Sequence, residues 1–320
     1  MSHAVMFPLQ PSHPEQVVPF ADLVNRGRAG RLWLGQSFGV ESHQVFAYLA
    51  GRGLRVPAGL GVTLMPLRHP MEAAAQARSV ALLTGRPVVA GYGAATPEMV
   101  EALRGKPYAR PATAGAGYAA AVRGLLGKGV SGHVCEACTA SGTLPPMNHP
   151  TVEVGLGVLR PGMARAAGGV ADVAVTWMTP PAYVRDTLIP ALAEGAAGRR
   201  TPRVATVVHA GLDGPGRDPV RLLLSVARGH LGSQHYTDML RRAGVPADAS
   251  DPVAGARAMV DAGVYAYGTL DEVVARLRAY REAGVDEIVV NTGGIGAVEG
   301  LKAGLADAGE ILTALEDADV

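Results

Sequence analysis

A chain of 320 residues is long enough for one large domain or two ordinary ones. Hydrophobic residues at 48% against 18% charged exclude a disordered chain, and a net charge of +1 gives no electrostatic reason to expect nucleic acid or an anionic membrane as partner. MSHAVMFPLQ at the N-terminus lacks a basic segment leading into a long apolar run, and no stretch approaches the ~20 consecutive apolar residues of a membrane span, so a cytoplasmic protein is expected.

The first apolar run bounded by turn residues is AVMF at 4–7. RLWLG at 31–35 is the second, and it ends oddly, on two uncharged polar residues, Gln36 and Ser37. GLGVTL at 59–64 is the third. HPMEAAAQARSVALLTG (69–85) then places Ala73, Ala77, Val80 and Leu83 near helical spacing and stops at Gly85. His69 precedes Pro70 at that helix start and is expected to hold the turn rather than act in catalysis. PVVAGYG at 87–93 is the fourth run.

Residues 105–150 break the rhythm with a helix, TAGAGYAAAVRGLLGKG, and a long small-residue stretch, SGHVCEACTASGTLPPMNHP. This stretch holds the only cysteines, Cys135 and Cys138. A metal site built on C-x-x-C wants two further ligands, which His133 and His149 could supply; a loop with two free thiols is the simpler expectation.

TVEVGLG (151–157), ADVAVTW (171–177) and RVATVVHA (203–210) follow, with Pro161 opening PGMARAAGG as a first-turn proline. A second interruption, 211–268, contains LDGPGRDP, helical RLLLSVARGHLGSQHYTDMLRRAG and a further helix. TLDEVVARLRAYREAG (269–284) has Thr269 as N-cap, Glu272 three residues later and Gly284 as its stop, and DEIVVNTGG (286–294) is the eighth run. Tyr265 and Tyr267 are expected to pack on the barrel exterior.

Eight nearly continuous apolar strands alternating with helices predict parallel βα units, and that number favours a closed (β/α)8 barrel in a single domain, 1–320, with insertions around 105–150 and 211–268. Long insertions in such a barrel serve as lids or interfaces. Functional residues of such a barrel sit at the C-terminal ends of strands, which singles out Gln36, Ser37, Leu64, Tyr92, Gly157, Trp177, His209 and Asn291. GYGAA (91–95) puts backbone amides near a helix start, and GLGVLRPGM (155–163) adds Arg160 to one, a pattern suited to phosphate.

GVTLMPLRHPMEAAAQARSVALLTGRPVVAGYGAA resembles the third-to-fourth-strand signature of the bacterial luciferase-like flavin and deazaflavin oxidoreductases. VLRPGMARAAGGVADVAV is similar to that family's phosphate-loop helix and next strand, QHYTDMLRRAGV to a helix of its insertion, and GTLDEVVARLRAYREAGVDEIVV to its last helix and strand. The resemblance implies a flavin or deazaflavin ring in the barrel mouth and a non-proline cis peptide in the third strand, at Gly61-Val62. It also implies that Gly91, Tyr92, Gly93, the Gly157–Val158–Leu159–Arg160–Pro161 turn and Trp177 approach the cofactor, and that the protein is a homodimer. Coenzyme F420, a deazaflavin, is the expected cofactor, with FMN as alternative.

In many members the second strand ends on an acid followed by histidine, where Gln36 and Ser37 stand here. Gln36 cannot exchange a proton as an acid–base pair does, although its amide can bond a carbonyl; Ser37 is no base without a partner. This counts against proton abstraction from an alcohol and leaves hydride delivery to an activated double bond. MFPLQPSHPEQVVPFADLV, RLWLGQS, LMPLRHP and TGRPVVAGYG resemble the family's reductases of dehydroalanine and dehydrobutyrine in lanthipeptides, implying a small-molecule or modified-peptide substrate. An FMN monooxygenase, or a member that binds cofactor or peptide without turnover, are the alternatives.

Overall fold

A computed structural model describes residues 2–127 and 130–317, without the side chains of residues 2, 130, 131, 133–135 and 138–141. Its strands are β1 (Ser2–Met6), β2 (Leu32–Leu34), β3 (Ala58–Leu64), β4 (Val88–Gly93), β5 (Val130–Cys135), β6 (Cys138–Thr143), β7 (Val152–Gly157), β8 (Val173–Trp177), β9 (Arg203–Leu212), β10 (Ala266–Gly268) and β11 (Glu287–Asn291). Eight of them pair in parallel in the order β9-β11-β1-β2-β3-β4-β7-β8, and β8 pairs back onto β9, so the sheet closes into the expected (β/α)8 barrel. These eight are the eight apolar runs of the sequence. The short β10 extends the rim by pairing with β9, and no helix among the described residues is long and apolar enough to cross a membrane.

Strand alternation sorts the core into two shells. Ala4, Met6, Trp33, Val89, Val173, Val175, Ala205, Val207 and Val289 fill the barrel interior. The intervening residues, such as Val5, Leu32, Leu34, Ala90, Leu156 and Val208, face the helices. The Trp33 indole takes so much of the interior that a Cβ at Gly59 or Gly61 would lie 2.2 or 2.7 Å from it; β3 can cross it only as glycine. The Gly61-Val62 peptide is cis, and the register of β3 on β4 shifts between Leu60 and Thr63.

The N-terminal end of the barrel is closed by charge. Glu287, 1% exposed, accepts from Trp33 Nε1 at 2.8 Å and Arg31 Nε at 3.0 Å, and Arg203 Nη1 lies 3.6 Å from its other oxygen. Arg203 Nη2 in turn donates to Glu153 at 2.7 Å.

Local signals were obeyed where the side chain decides the geometry. His69 Nδ1 accepts from Met71 N at 3.2 Å and caps the helix Pro70–Thr84, which ends on Gly85 at φ 64°, a left-handed conformation suited to glycine. Thr269 and Glu272 form the capping box of the helix Leu270–Glu282. Tyr265 belongs to the shell beneath the helices, with Tyr267 against it. The stretch expected as a loop around Cys135 and Cys138 is instead an antiparallel hairpin of β5 and β6, with Cys135 opposite Cys138 in register. Its strands are rich in Ser, Gly, Ala and Thr, which give too little hydrophobic contrast to reveal a period of two. The cysteine side chains, and with them the thiol and metal questions, lie outside the described residues. At the hairpin tip the Glu136 carboxylate accepts from Ala109 N and Arg110 N, just before the helix Pro111–Gly127.

Candidate active site

The uppermost interior-facing positions define the mouth. They are Gly35 after β2, Val62 on β3, Gly93 on β4, Gly157 on β7, Trp177 on β8, His209 on β9 and Asn291 on β11. One side is therefore almost without side chains and the other is aromatic and polar. A Cβ at Gly157 would meet Val62 methyls at 3.5 and 3.7 Å and Tyr92 O at 3.7 Å, and one at Gly35 would meet Met6 Cε at 3.4 Å and Gly61 O at 3.8 Å, so each site admits a Cβ in near-ordinary contact, and both glycines are partly exposed. Gly91 and Gly93 serve differently: a Cβ there would meet Leu60 O at 2.3 Å and Val62 Cγ2 at 2.6 Å, so they admit β3 and the Val62 side chain. Val62 forms the floor between Gly91, Gly93 and Gly157.

Tyr92 departs from expectation. Its side chain is fully buried on the outer face of β4, its ring 5.3 Å from Tyr118 and its hydroxyl 3.3 Å from Ala73 O, so only its backbone reaches the mouth. The alternation that turns Gly91 and Gly93 inward turns Tyr92 outward. Val158 is likewise buried in the outer shell, with its N–H on Val175 O at 2.8 Å, and Leu159 packs partly against that shell.

Arg160 is the N-cap of the helix Pro161–Gly168, half-exposed, 3.6 Å from Asp238. Asp238 also accepts from Arg242 at 3.0 Å, and these two arginines keep its carboxyl below the usual range, the Arg242 hydrogen bond most of all. Met163 N and Ala164 N both return to Arg160 O and Pro161 has no N–H, so Gly162 offers the first helical N–H of the turn. Arg160, with Gly162 and the dipole of this helix, suits an anionic tail.

Gln36 sits beside the floor, its N–H on Val62 O at 3.1 Å. Its Oε1 accepts from Leu64 N at 3.2 Å and Arg68 Nη1 at 3.4 Å, and its Nε2 donates to Ser37 O at 3.0 Å. The carboxamide is thus braced, with one hydrogen of its NH2 left over. Ser37 is buried, and its hydroxyl accepts from Gly39 N at 3.1 Å, which makes it a turn residue.

An acid and a histidine do occur a few residues on. Glu41 caps the helix Ser42–Gly51 by accepting from His43 N and Gln44 N, its Oε1 lies 2.6 Å from His43 Nδ1, and Arg68 Nη2 is 3.6 Å away. Burial pushes the Glu41 carboxyl up, but the His43 and Gln44 hydrogen bonds and the Arg68 charge outweigh it, and the net shift is down. This carboxylate is committed to local structure. The pair follows Gln36 by five and seven positions, and inspection of the strand end alone missed it.

Across the mouth from Gly35 and Val62, and next to Gly157, Trp177 and His209 meet edge to face at 5.4 Å. The helix Pro219–Leu231 brings His230 to 5.6 Å from Trp177, and the helix Gln234–Arg242 brings Tyr236 to 4.8 Å from His230. The second interruption of the sequence therefore walls the mouth. Burial, and then His230, lower His209 to about 3, so it is neutral at physiological pH; burial lowers His230 to about 4. Sequence inspection placed His209 at a strand end, but its neighbours come from a helix whose position no local pattern announced.

The profile of the luciferase-like monooxygenase family matches residues 3–287. Against curated protein sequences, nothing matches. Among solved structures the chain is similar to the coenzyme F420 dependent tetrahydromethanopterin reductase from Methanopyrus kandleri, at 18% identity and a TM-score of 0.74 over 98% of this chain and 99% of that one. It is similar to monooxygenase RslO1 from Streptomyces bottropensis at 18% identity and a TM-score of 0.71, covering 100% of both chains. The FMN complex of the oxygenating constituent of 3,6-diketocamphane monooxygenase from Pseudomonas putida aligns at 15% identity and a TM-score of 0.67, over 97% of this chain and 96% of that one.

Proposed function

The chain belongs to the luciferase-like monooxygenase family, and from that premise we propose that it is a deazaflavin-dependent reductase delivering hydride to an activated C=C bond, with dehydroalanine or dehydrobutyrine in a ribosomal peptide as the substrate class. The observation that carries this reading is that the inward-facing strand positions of the mouth carry no charged side chain. Its uppermost inward-facing positions carry Gly35, Val62, Gly93, Gly157, Trp177, His209 and Asn291, none of them a carboxylate, and a histidine lowered to about 3 is too weak a base to take a proton from an alcohol. Reduction of a polarised double bond needs a hydrogen-bond donor at a carbonyl, and solvent can supply the proton.

The residues present fit a flat ring: partly exposed backbone without side chains at Gly35 and Gly157, Val62 beneath, and unpartnered polar atoms on the other wall. A reduced deazaflavin bound there supplies a hydride. Arg160 and the Gly162 N–H would hold its phosphate, and the spare Gln36 N–H would face the substrate carbonyl.

Mixing the protein, reduced coenzyme F420 and a dehydroalanine-containing peptide should reoxidise the deazaflavin stoichiometrically as the peptide gains two hydrogens in mass. No reoxidation with such a peptide would remove the reductase. FMN monooxygenation is the second reading, favoured by the FMN-bound structural neighbour; tight FMN binding with no affinity for F420 would establish it as the better one.

Arg160→Ala should weaken cofactor binding by roughly 1.5–3 kcal/mol, the scale of a charge-assisted hydrogen bond. Asp238→Asn, which removes a competing carboxylate, should tighten it. Absorbance titration measures both, and unchanged affinity in Arg160→Ala would assign that arginine to solvent. Gln36→Ala should lower turnover about tenfold to a hundredfold with little change in cofactor affinity, since one donor to developing negative charge is lost. Gln36→Glu should be worse near neutral pH, because Arg68 and Leu64 N would keep a carboxylate ionised against that charge. A Gln36→Glu enzyme as fast as the parent would mark a proton-transfer site instead.

A further inference from the structure

His209 is 2% exposed, and neither of its ring nitrogens has a hydrogen-bond partner among the described residues. The adjacent Trp177 Nε1 is also buried without one. A buried polar group left unpaired costs about 1–3 kcal/mol, and three such atoms on one wall of the mouth are too many for a dry packing site. Both side chains face the barrel interior, continuing the inward rows Val173–Val175 and Ala205–Val207 of their strands. They lie across the mouth from Gly35 and Val62, on the strands that follow Gly157 around the barrel, and the Arg160 turn is tied through Asp238 to the helix behind them. Together they present two N–H donors, the Trp177 indole and one imidazole nitrogen, and one acceptor, the other imidazole nitrogen.

We infer that the Trp177–His209 wall is a substrate subsite for a neutral peptide group, its indole and imidazole N–H donating to the amide oxygen and its free imidazole nitrogen accepting from the amide N–H. This rests on the reductase reading and deepens it. A dehydrated residue within a peptide has an amide on each side of its double bond; Gln36 would face the conjugated carbonyl and this wall the other amide. A carboxylate is disfavoured at the same place. The free imidazole nitrogen would present a lone pair to it, and burial resists the protonation that would turn that nitrogen into a donor.

The test uses two unreactive probes with the cofactor-loaded protein, N-acetyl-alanine methylamide (the methylamide) and methylmalonic acid monomethylamide (the free acid), which keeps the carbonyl assigned to Gln36 and carries a carboxylate in place of the acetylamino group that would face the wall. Binding is read by calorimetry and by the 15N shifts of the His209 ring, assigned with His209→Asn. The methylamide should bind and move the His209 nitrogens, and the free acid should bind at least tenfold more weakly. His209→Leu should weaken the methylamide about tenfold. His209→Asn, which restores one donor and one acceptor, should stay within threefold of the parent and guards against misfolding as the cause. Equal binding of the acid, an unchanged His209→Leu, or no movement of the His209 nitrogens would each overturn the inference. Methylamide binding as expected, without deazaflavin oxidation by a dehydroalanine peptide, would instead remove the reductase and leave the subsite.

Discussion

Gly157→Phe should leave the barrel folded and lower cofactor affinity at least a hundredfold, close to about 3 kcal/mol. The backbone of β7 tolerates a Cβ at this position, because the nearest atoms would be Val62 methyls at 3.5 and 3.7 Å with Tyr92 O at 3.7 Å between them. Gly157→Ala should therefore bind within threefold of the parent. A phenyl ring has nowhere to go but the space above Val62, the surface on which a bound ring would rest. Titrating both variants with FMN and with oxidised F420, beside circular dichroism, separates loss of the slot from loss of the fold. Parent-like affinity in Gly157→Phe would place the ring elsewhere.

The second large effect lies at the opposite end. Glu287→Leu should cost about 3–5 kcal/mol of stability, the scale for breaking a buried ion pair by removing one partner. Arg31 and the Trp33 indole N–H both donate to one oxygen of that carboxylate, and Arg203 faces the other. Glu153 can still satisfy Arg203, but Arg31, with its side chain 12% exposed, keeps only carbonyl acceptors. Glu287→Gln retains an acceptor for the indole and should fall between the two. Urea denaturation measures the series, and a loss below about 1 kcal/mol for the leucine variant would mean that water reaches Arg31.

The barrel was legible because its eight strands are buried on both faces and so read as unbroken apolar runs, most of them ended by a glycine, a proline or a polar residue. Helix caps were legible too, since His69 and Thr269 act on residues two or three positions away. The hairpin of β5 and β6 was not, because small residues carry no amphipathic contrast. Within the site, local pattern placed Gly157, Trp177 and His209 at strand ends and Arg160 at a helix start. It could not tell which way Tyr92 turns, because one step of register decides that. Nor could it set His230 against Trp177, a contact across more than fifty residues of chain that only tertiary packing determines.

Barrel closure joins the two ends of the chain: β1 takes one neighbour from β2 and the other from β11, with Ser2 opposite Glu287. During synthesis the first of these neighbours follows within about thirty residues and the second only after roughly 280. At roughly 5–20 residues per second, the ~280 residues between Met6 and Glu287 occupy on the order of 15–55 s. Throughout that time the apolar edge Ala4–Val5–Met6 has unpaired backbone groups on one side, the kind of edge on which chains aggregate. The first strand of a nascent chain should therefore stay open to misplaced pairing until the strand Glu287–Asn291 has left the ribosome.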